Sequence, residues 1–131
     1  MLVRDGMNRI VVTVGPHHTL REAARRMTEH HVGAAVVFGG EGPGIITERD
    51  LLHSNGRGED PDQERVGDHL AGKLIYAYPD WSLEQAAEAM TRGGFRHVIV
   101  LEAGDAVGIL SMRDIVRCWL TEGASCDVAK A

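Results

Sequence analysis

The sequence contains little cysteine, few aromatic residues and no long apolar run. Only two of its 131 residues are cysteines, Cys118 and Cys126, and aromatic residues make up 5%. Two thiols near the C-terminus do not provide the disulfide framework that small secreted domains need. No segment approaches the roughly 18 apolar residues of a membrane span, and the apolar stretch at the start is too short for a secretory signal. We therefore expect a soluble chain in the reducing environment of the cytoplasm.

The sequence also lacks a run of basic residues. Its 14 Lys and Arg residues against 19 Asp and Glu residues give a formal net charge of −5. Because no Lys/Arg cluster is available to follow a phosphate backbone, broad affinity for nucleic acid is not expected. With 44% hydrophobic residues, the chain is long enough for one compact unit or for two small halves that share a core.

Motifs of catalytic and metal chemistry are missing as well. No Gly-x-Ser-x-Gly, Cys-x-x-Cys or His-x-x-x-His spacing occurs. The adjacent pairs His17-His18 and His30-His31 point apart on a helix or strand, so neither pair predicts a metal site. We therefore predict no catalytic residue and no metal ligand. A redox role for the two cysteines and a metal role for the histidine pairs stay open at this point.

What the sequence does contain is an internal repeat. The segment TLREAARRM at 19–27 returns 63 residues later as SLEQAAEAM, whereas GIITERD at 44–50 returns 64 residues later as GILSMRD. One inserted residue in the second copy explains the change, and Gly93-Gly94 is its predicted place because a loop absorbs an insertion. The polar segment 53–65 predicts a helix stop and a connecting loop. We expect two domains, one repeat at 1–57 and a second at 66–122.

Each copy predicts the order β-α-β-β-α. Short β-branched runs at 9–14 and 73–78 are typical of strands. Continuous apolar runs at 33–39 and 97–102 favour central strands that are covered on both faces. Between them, an apolar stripe at helical spacing follows a capping box in each copy. These two boxes are Thr19-x-x-Glu22 and Ser82-x-x-Gln85.

In this order, the residues resemble the cystathionine-β-synthase (CBS) domain, a family whose members occur as tandem pairs called Bateman modules. The resemblance covers residues 3 to about 120. Its marks are a Val-x-Asp-x-Met/Leu motif leading each copy, a Pro followed by Thr/Ser-Leu and an Ala-Ala helix, FRHVIV at 95–100, and Gly-Ile-x-Thr/Ser-x-Arg-Asp twice. The resemblance implies an α/β (α+β) fold, with two β-α-β-β-α repeats packed as a pseudo-twofold pair.

The repeated Thr47-x-x-Asp50 and Ser111-x-x-Asp114 have two interpretations. Both predict helix N-caps, with the Asp in the first turn, where it offsets the positive end of the helix dipole. A helix N-terminus also binds anions, and a carboxylate accepts from both hydroxyls of a ribose. The resemblance implies that the cap is also used in this second way, because in CBS pairs that bind adenosine nucleotides these residues contact ribose and phosphate. The preceding Gly44 and Gly108 let the backbone approach closely.

The resemblance further implies two ligand sites in the cleft between the repeats, each with parts from both. The first site joins Thr47, Arg49 and Asp50 to Ile75, Tyr76, Arg96 and His97. The second joins Ser111, Arg113 and Asp114 to Val12, Val32 and Gly33. Because the repeat alignment places Val32-Gly33 at the position of Arg96-His97, the second site lacks a cationic pair for phosphate. We therefore expect one dominant nucleotide per chain.

These features predict a non-catalytic regulatory or sensor module that binds AMP, ADP, ATP or a related adenosine ligand, without a catalytic cofactor. The alternative is a ligand-free structural or partner-interaction module, and the regulated protein stays unidentified. The family pairs such modules through their helices, and the apolar residues of the last helix in each copy exceed what one internal face needs. We therefore expect a homodimer. The residues in question are Leu51, Leu52, Ile115, Val116, Trp119 and Leu120.

Overall fold

The computed structural model describes residues 1–39, 43–70 and 76–123, which divide into two units. The first unit runs from Val11 to Leu74, and the second combines Met1–Ile10 with Ile75–Ala131. In chain order the elements are α1 (Val3–Gly6), β1 (Thr13–Val14), α2 (Leu20–Glu29), β2 (Ala34–Val37), β3 (Gly44–Thr47), α3 (Glu48–Gly56), a 3₁₀ turn (Val66–Asp68), β4 (Tyr76–Ala77), α4 (Leu83–Gly93), β5 (His97–Glu102), β6 (Asp105–Ser111), α5 (Met112–Cys118) and a π-helical turn (Trp119–Gly123).

Each unit contains a three-stranded sheet with the same topology. The strand order is β1-β2-β3 in the first unit and β4-β5-β6 in the second. The first two strands of each sheet are parallel and are joined through a helix, whereas the last two are antiparallel. The predicted β-α-β-β-α order and the mixed α/β class are therefore confirmed.

The helices begin where the capping residues predict. Ser82 and Gln85 form a complete box before α4, in which each side chain accepts from the other residue's backbone N–H at 3.0 and 2.8 Å. Before α2 the box is only half formed, since Thr19 accepts from the Glu22 N–H but the Glu22 carboxylate contacts the Thr19 hydroxyl instead of its backbone. Each helix buries the predicted apolar stripe. The buried residues are Leu20, Ala23 and Met27 in α2 and Leu83, Ala86 and Met90 in α4.

The strand registers show that the predicted place of the inserted residue is wrong. Ala35 lies opposite Ile46 in the first unit, and Val98 lies opposite Leu110 in the second. The offset of 63 residues therefore persists through β5 and becomes 64 only in β6. The extra residue lies at the bulge beside Val100 and Leu101, where a sheet edge accommodates one unpaired residue.

This correction changes which residues are equivalent in the two repeats. The counterparts of Arg96-His97 are Gly33-Ala34, and not Val32-Gly33 as the sequence alignment predicts. The backbone agrees, because the Glu48 N–H donates to the Gly33 carbonyl at 3.0 Å and the Met112 N–H donates to the Arg96 carbonyl at 2.9 Å. The first repeat thus still has no cation at this position.

The leading motif of each repeat packs in the unit formed by the body of the other repeat. Val3 is fully buried in the core of the second unit, and its N–H donates to the Trp81 carbonyl at 2.7 Å. Val66 is fully buried in the core of the first unit, and its N–H donates to the His18 carbonyl at 2.8 Å. Each unit therefore depends on a segment that is distant in sequence.

This packing also explains the two glycines that precede the repeated Thr/Ser-x-x-Asp motif. A side-chain carbon at Gly108 would lie 2.7 Å from the Met7 sulfur, and one at Gly44 would lie 3.2 Å from the Leu70 side chain. Both glycines thus admit the leading segment against the last strand: a side chain at Gly108 would clash with Met7, and one at Gly44 would crowd Leu70. The sequence predicted a close approach of the backbone at these glycines, and the structure shows that the leading segment is what approaches.

Several element boundaries differ from the prediction. The first strand of each unit has two residues where six were predicted, although residues 73–75 lie outside the described residues. Helix α3 continues to Gly56, so the predicted stop at residue 53 is three residues too early. The linker after it folds back on α2, where Leu20 donates to the Glu64 carbonyl at 3.0 Å. No helix in the described part of the chain is long and apolar enough to cross a membrane.

Candidate functional site

The Thr47–Asp50 corner lies where β3 runs directly into α3. Asp50 Oδ2 accepts from the Thr47 backbone N–H at 2.8 Å and from the Thr47 hydroxyl at 3.0 Å, while the Asp50 N–H faces the Thr47 hydroxyl at 3.4 Å. This complete box confirms the predicted cap. Among the described residues, nothing pairs with Asp50 Oδ1, so one carboxylate oxygen remains to accept a ligand hydroxyl.

The Ser111–Asp114 corner repeats this geometry where β6 runs into α5. Asp114 Oδ2 accepts from the Ser111 N–H and hydroxyl, each at 2.8 Å, and the Asp114 N–H donates to the Ser111 hydroxyl at 3.0 Å. The difference lies on the other carboxylate oxygen. Arg117 Nη2 contacts Asp114 Oδ1 at 2.9 Å, and Asp114 is buried whereas Asp50 is half-buried. The carboxylate of this corner is thus occupied on both oxygens.

The residue that follows each cap also differs between the corners. Glu48 follows Thr47, and its carboxyl group covers Gly33, where an added side-chain carbon would lie 3.2 Å away. In the second unit the equivalent pair is Met112 and Arg96. The first unit therefore presents an acid beside its corner, and the second unit presents a cation beside its own.

The structure places the remaining predicted contacts as follows. His97 pairs with Ser111 in the sheet, so Arg96 and His97 lie beside the Ser111–Asp114 corner of the second unit. Arg96 is exposed and His97 is half-buried. In the first unit, Gly33 lies beside the Thr47–Asp50 corner through its bond to the Glu48 N–H.

The other predicted residues have more distant or structural positions. Val12 is buried, and its carbonyl accepts from Val36 at 2.8 Å, while Val32 packs against the first-unit core. Tyr76 is half-buried at the start of β4. Arg49 and Arg113 are exposed on the first turns of α3 and α5. Ile75 lies outside the described residues. The crosswise grouping that the resemblance implies stays a prediction.

Two contacts that matter at these corners are not among the sequence predictions. Arg117 follows Asp114 by three residues on the same helix, a spacing that brings side chains together and that a sequence search for helix pairs would find. Glu48 has no such local signal, because its partner Gly33 is brought to it by the β2–β3 pairing.

A groove in the second unit lies away from the Ser111–Asp114 corner of that unit. It has a volume of about 760 Å³ and is lined by the Tyr78 and Trp81 rings, Arg4 and the hairpin at 101–103. Strand β6 runs from this hairpin to Ser111, and six residues at about 3.3 Å each put the two ends of the strand about 20 Å apart. None of the predicted ligand contacts lines this groove.

The structure gives the surroundings of several residues whose roles the sequence left open. Cys118 is buried in the second-unit core, and Cys126 lies outside the described residues. His18 Nδ1 accepts from the Gly15 N–H at 2.8 Å, which closes the turn before α2. His30 caps the end of α2, and His31 has a positive φ of 55° after it.

Comparison with known proteins agrees with this architecture. The family model of the CBS domain matches residues 3–55 and 66–120. The CBS domain-containing protein YhcV of Bacillus subtilis (strain 168) is 35% identical over 115 residues, which cover 86% of this chain and 81% of YhcV. The crystal structure of the CBS-domain containing protein ATU1752 from Agrobacterium tumefaciens is 37% identical with a TM-score of 0.80, and the match covers 90% of this chain and 98% of that protein.

A second similar structure contains ligands. The CBS domain pair of protein MJ0100, crystallised in complex with 5′-methylthioadenosine and S-adenosyl-L-methionine, matches with a TM-score of 0.82 over 93% of this chain and 98% of its own. At 22% identity it establishes the shared fold. Two family matches, the repeated fold and the relatives lead to one conclusion: the chain belongs to the CBS-domain family and carries a pair of CBS domains.

Proposed function

We propose that this CBS pair is a non-catalytic regulatory module that senses an adenosine-type ligand such as AMP, ADP or ATP. The observation that carries the proposal is the Thr47–Asp50 corner. A carboxylate oxygen with no partner among the described residues lies there at the N-terminus of a nine-residue helix. A ribose diol needs such an acceptor, and a phosphate is attracted by the positive end of the helix dipole.

The family resemblance assigns Arg96 and His97 to the ligand that Thr47 and Asp50 hold. Arg96 is exposed and its guanidinium has no partner among the described residues, so it is available to a phosphate. The equivalent residues in the first repeat, Gly33 and Ala34, bring no charge, and Glu48 beside them is acidic. We therefore propose one dominant nucleotide per chain.

The proposal of a sensor without catalysis follows from the chemistry of the corners. Each offers hydroxyl, carboxylate and N–H groups suited to holding a ligand, and the hydroxyl that contacts each carboxylate is engaged as the cap of its helix. The MJ0100 pair has the same fold and is complexed with two adenosine derivatives. This complex shows that the fold is able to bind ligands of the adenosine class.

The second candidate is a ligand-free module that binds partners, and the exposed apolar side chains favour it. Leu52 on α3 and Val116, Trp119 and Leu120 at the end of the chain's last helix remain exposed within their units. Leu51 and Ile115 instead pack against the unit cores. We propose that these exposed side chains are buried against those of a second copy of the chain in a homodimer, which is compatible with either function.

The decisive experiment is a ligand screen. Native mass spectrometry of the purified protein, followed by a thermal-shift screen against AMP, ADP, ATP, NAD and S-adenosylmethionine, should identify a stabilising adenosine ligand. Calorimetry should then give about one site per chain. Arg96→Ala should weaken binding by about tenfold or more, since a charge-assisted contact contributes about 1.5–3 kcal/mol.

Arg92→Ala is the matched control, because Arg92 is an exposed cation of α4 that pairs with Glu88. It should leave the affinity unchanged. ATP should be recovered without phosphate release after prolonged incubation. If no nucleotide copurifies and none of the five ligands binds, the ligand-free alternative is the correct one.

A further inference from the structure

Three metal-binding side chains come together from the linker between the repeats and from the leading motif of the second repeat. The carboxylates of Glu59 and Glu64 and the imidazole of His69 place their donor atoms within 4.8 Å of one another. His69 Nε2 lies 2.8 Å from Glu64 Oε1, and the His69 side chain is only 8% exposed. No other group of three His, Cys, Asp or Glu donors in the described ranges converges in this way.

We propose that Glu59, Glu64 and His69 bind one divalent transition-metal ion of the Zn²⁺ type, which ties the linker to the end of α3. An imidazole nitrogen favours such an ion over Mg²⁺ or Ca²⁺, and two carboxylates balance its charge. Zn²⁺ bonds of about 2.0–2.2 Å in tetrahedral geometry require donors about 3.5 Å apart, so shifts of about 1 Å bring these three into position. A water molecule completes the coordination.

The linker backbone holds these side chains in place without the ion. The Glu59 N–H donates to the Ser54 carbonyl at 3.2 Å, and the Glu64 N–H donates to the Asp60 carbonyl at 3.0 Å. The linker is in turn fixed to the start of α2, where Arg65 forms a β-bridge with Thr19. A loop that is fixed in advance loses little conformational entropy when its side chains bind an ion.

Ser54 lies beside one of the three ligands. It is 2% exposed on the last turns of α3, and its carbonyl accepts from the Glu59 N–H at 3.2 Å. The Ser54 side chain is also the largest cause that lowers the pKa of Glu59, with Arg57 adding to it. Neighbouring polar groups of this kind orient metal-binding carboxylates in known sites.

Arg57 competes with the ion for the same carboxylate. Its Nη2 lies 2.9 Å from Glu59 Oε1, and its side chain is 57% exposed. A solvent-exposed pair of this kind contributes about 0–1 kcal/mol, so the guanidinium can move away when an ion binds. Removing Arg57 should therefore strengthen metal binding, whereas a purely structural cluster would lose a stabilising contact.

The cluster is separate from the proposed nucleotide corner. Ser54 follows Glu48 by six residues on α3, which is about 9 Å along the axis at about 1.5 Å per residue. The metal would thus sit at the C-terminal end of the helix whose N-terminal end carries Thr47 and Asp50. The two proposals can fail independently.

Calorimetry with ZnCl₂ on the tag-free, chelator-treated full chain tests the inference. We expect one Zn²⁺ per chain with a Kd in the micromolar range or tighter, and no heat of binding with Mg²⁺. Glu59→Gln and Glu64→Gln, which keep the size of the side chain, should each weaken binding at least tenfold. Arg57→Gln should tighten it severalfold.

Two control variants separate this site from surface chelation. Asp62→Asn changes an acid of the same linker that pairs with Arg21 outside the cluster, and His30→Gln removes one histidine of an adjacent pair. Both should leave the Zn²⁺ affinity unchanged. No saturable binding to a protein that circular dichroism shows to be folded, or equal binding by the wild type and both Gln variants, would overturn the proposal.

Discussion

Asp50 and Asp114 occupy equivalent positions in the two repeats, each as the third helical residue after a Thr or Ser cap, yet their carboxylates differ in availability. Asp50 uses one oxygen in its capping box, whereas Asp114 uses one in the box and the other in a contact with Arg117. The duplicated sequence thus keeps the helix cap in both copies, and among the described residues only Asp50 has a carboxylate oxygen without a partner. One motif can therefore keep the same structural role in two repeats while its carboxylate differs in availability.

The two repeats also differ in the apolar residues near the ends of α3 and α5. Leu52 and Val116 are equivalent and both exposed. One turn later, the first repeat has Asn55 where the second has Trp119. The apolar surface is therefore larger in the second unit, which predicts that this unit contributes more to self-association.

The largest expected effect concerns assembly. Trp119→Asp should weaken dimerisation by about 30-fold or more, because a buried interface tryptophan commonly contributes about 2 kcal/mol or more. The equivalent change Asn55→Asp in the first repeat should have little effect. Sedimentation velocity across a concentration series checks both variants, and a wild type that stays monomeric at tens of micromolar would refute the dimer itself.

The next largest effect concerns the two aspartates. Asp50→Ala should reduce affinity for the adenosine ligand about tenfold or more, and Asp114→Ala should reduce it little, because Asp114 Oδ1 contacts Arg117 whereas Asp50 Oδ1 has no partner in the described ranges. Asp50→Asn and Asp114→Asn keep a capping acceptor and so control for loss of the helix start. Equal losses from the two Ala variants in calorimetry would contradict the asymmetry.

The smallest expected effect tests the same difference between Asp50 and Asp114. Arg117→Gln frees Asp114 Oδ1 and should raise the affinity of the weaker corner by about two- to fivefold. The gain is limited because Arg117 is 58% exposed and a pair of this kind contributes about 0–1 kcal/mol. A second, weak binding event in calorimetry is the readout, and Arg92→Gln is the control. A loss of affinity would mean that Arg117 assists the ligand instead of competing with it.

Much of the local structure could be predicted from the sequence. The box at Ser82 and the two Thr/Ser-x-x-Asp caps form as expected, because each depends on hydrogen bonds between residues three positions apart. The bounds of β5 match the apolar run at 97–102, since a strand with a buried centre needs continuous apolar residues there. The β-α-β-β-α order was predicted because the same succession of patterns occurs in both copies.

The candidate site was predicted less completely. The sequence identified Thr47, Asp50, Ser111 and Asp114, and the structure adds that, within the part of the chain it describes, Asp50 keeps an oxygen without a partner and Asp114 does not. The sequence did not identify Glu48 beside Gly33, because that contact depends on strand pairing. The linker cluster was also not predicted, since its three donors follow no metal-binding spacing and converge only when the linker folds back on α2.

The sequence by itself determined the duplication, the helix starts and the central strands, because these depend on side-chain periodicity and on contacts within a few residues. Only the tertiary structure decided the place of the inserted residue, which the pairing of Val98 with Leu110 moves from Gly93-Gly94 to the β5–β6 bulge. It also decided that Val3 packs in the second unit and Val66 in the first. Strand register and core burial join residues that are far apart in sequence, so no local pattern specifies which partner a segment finds.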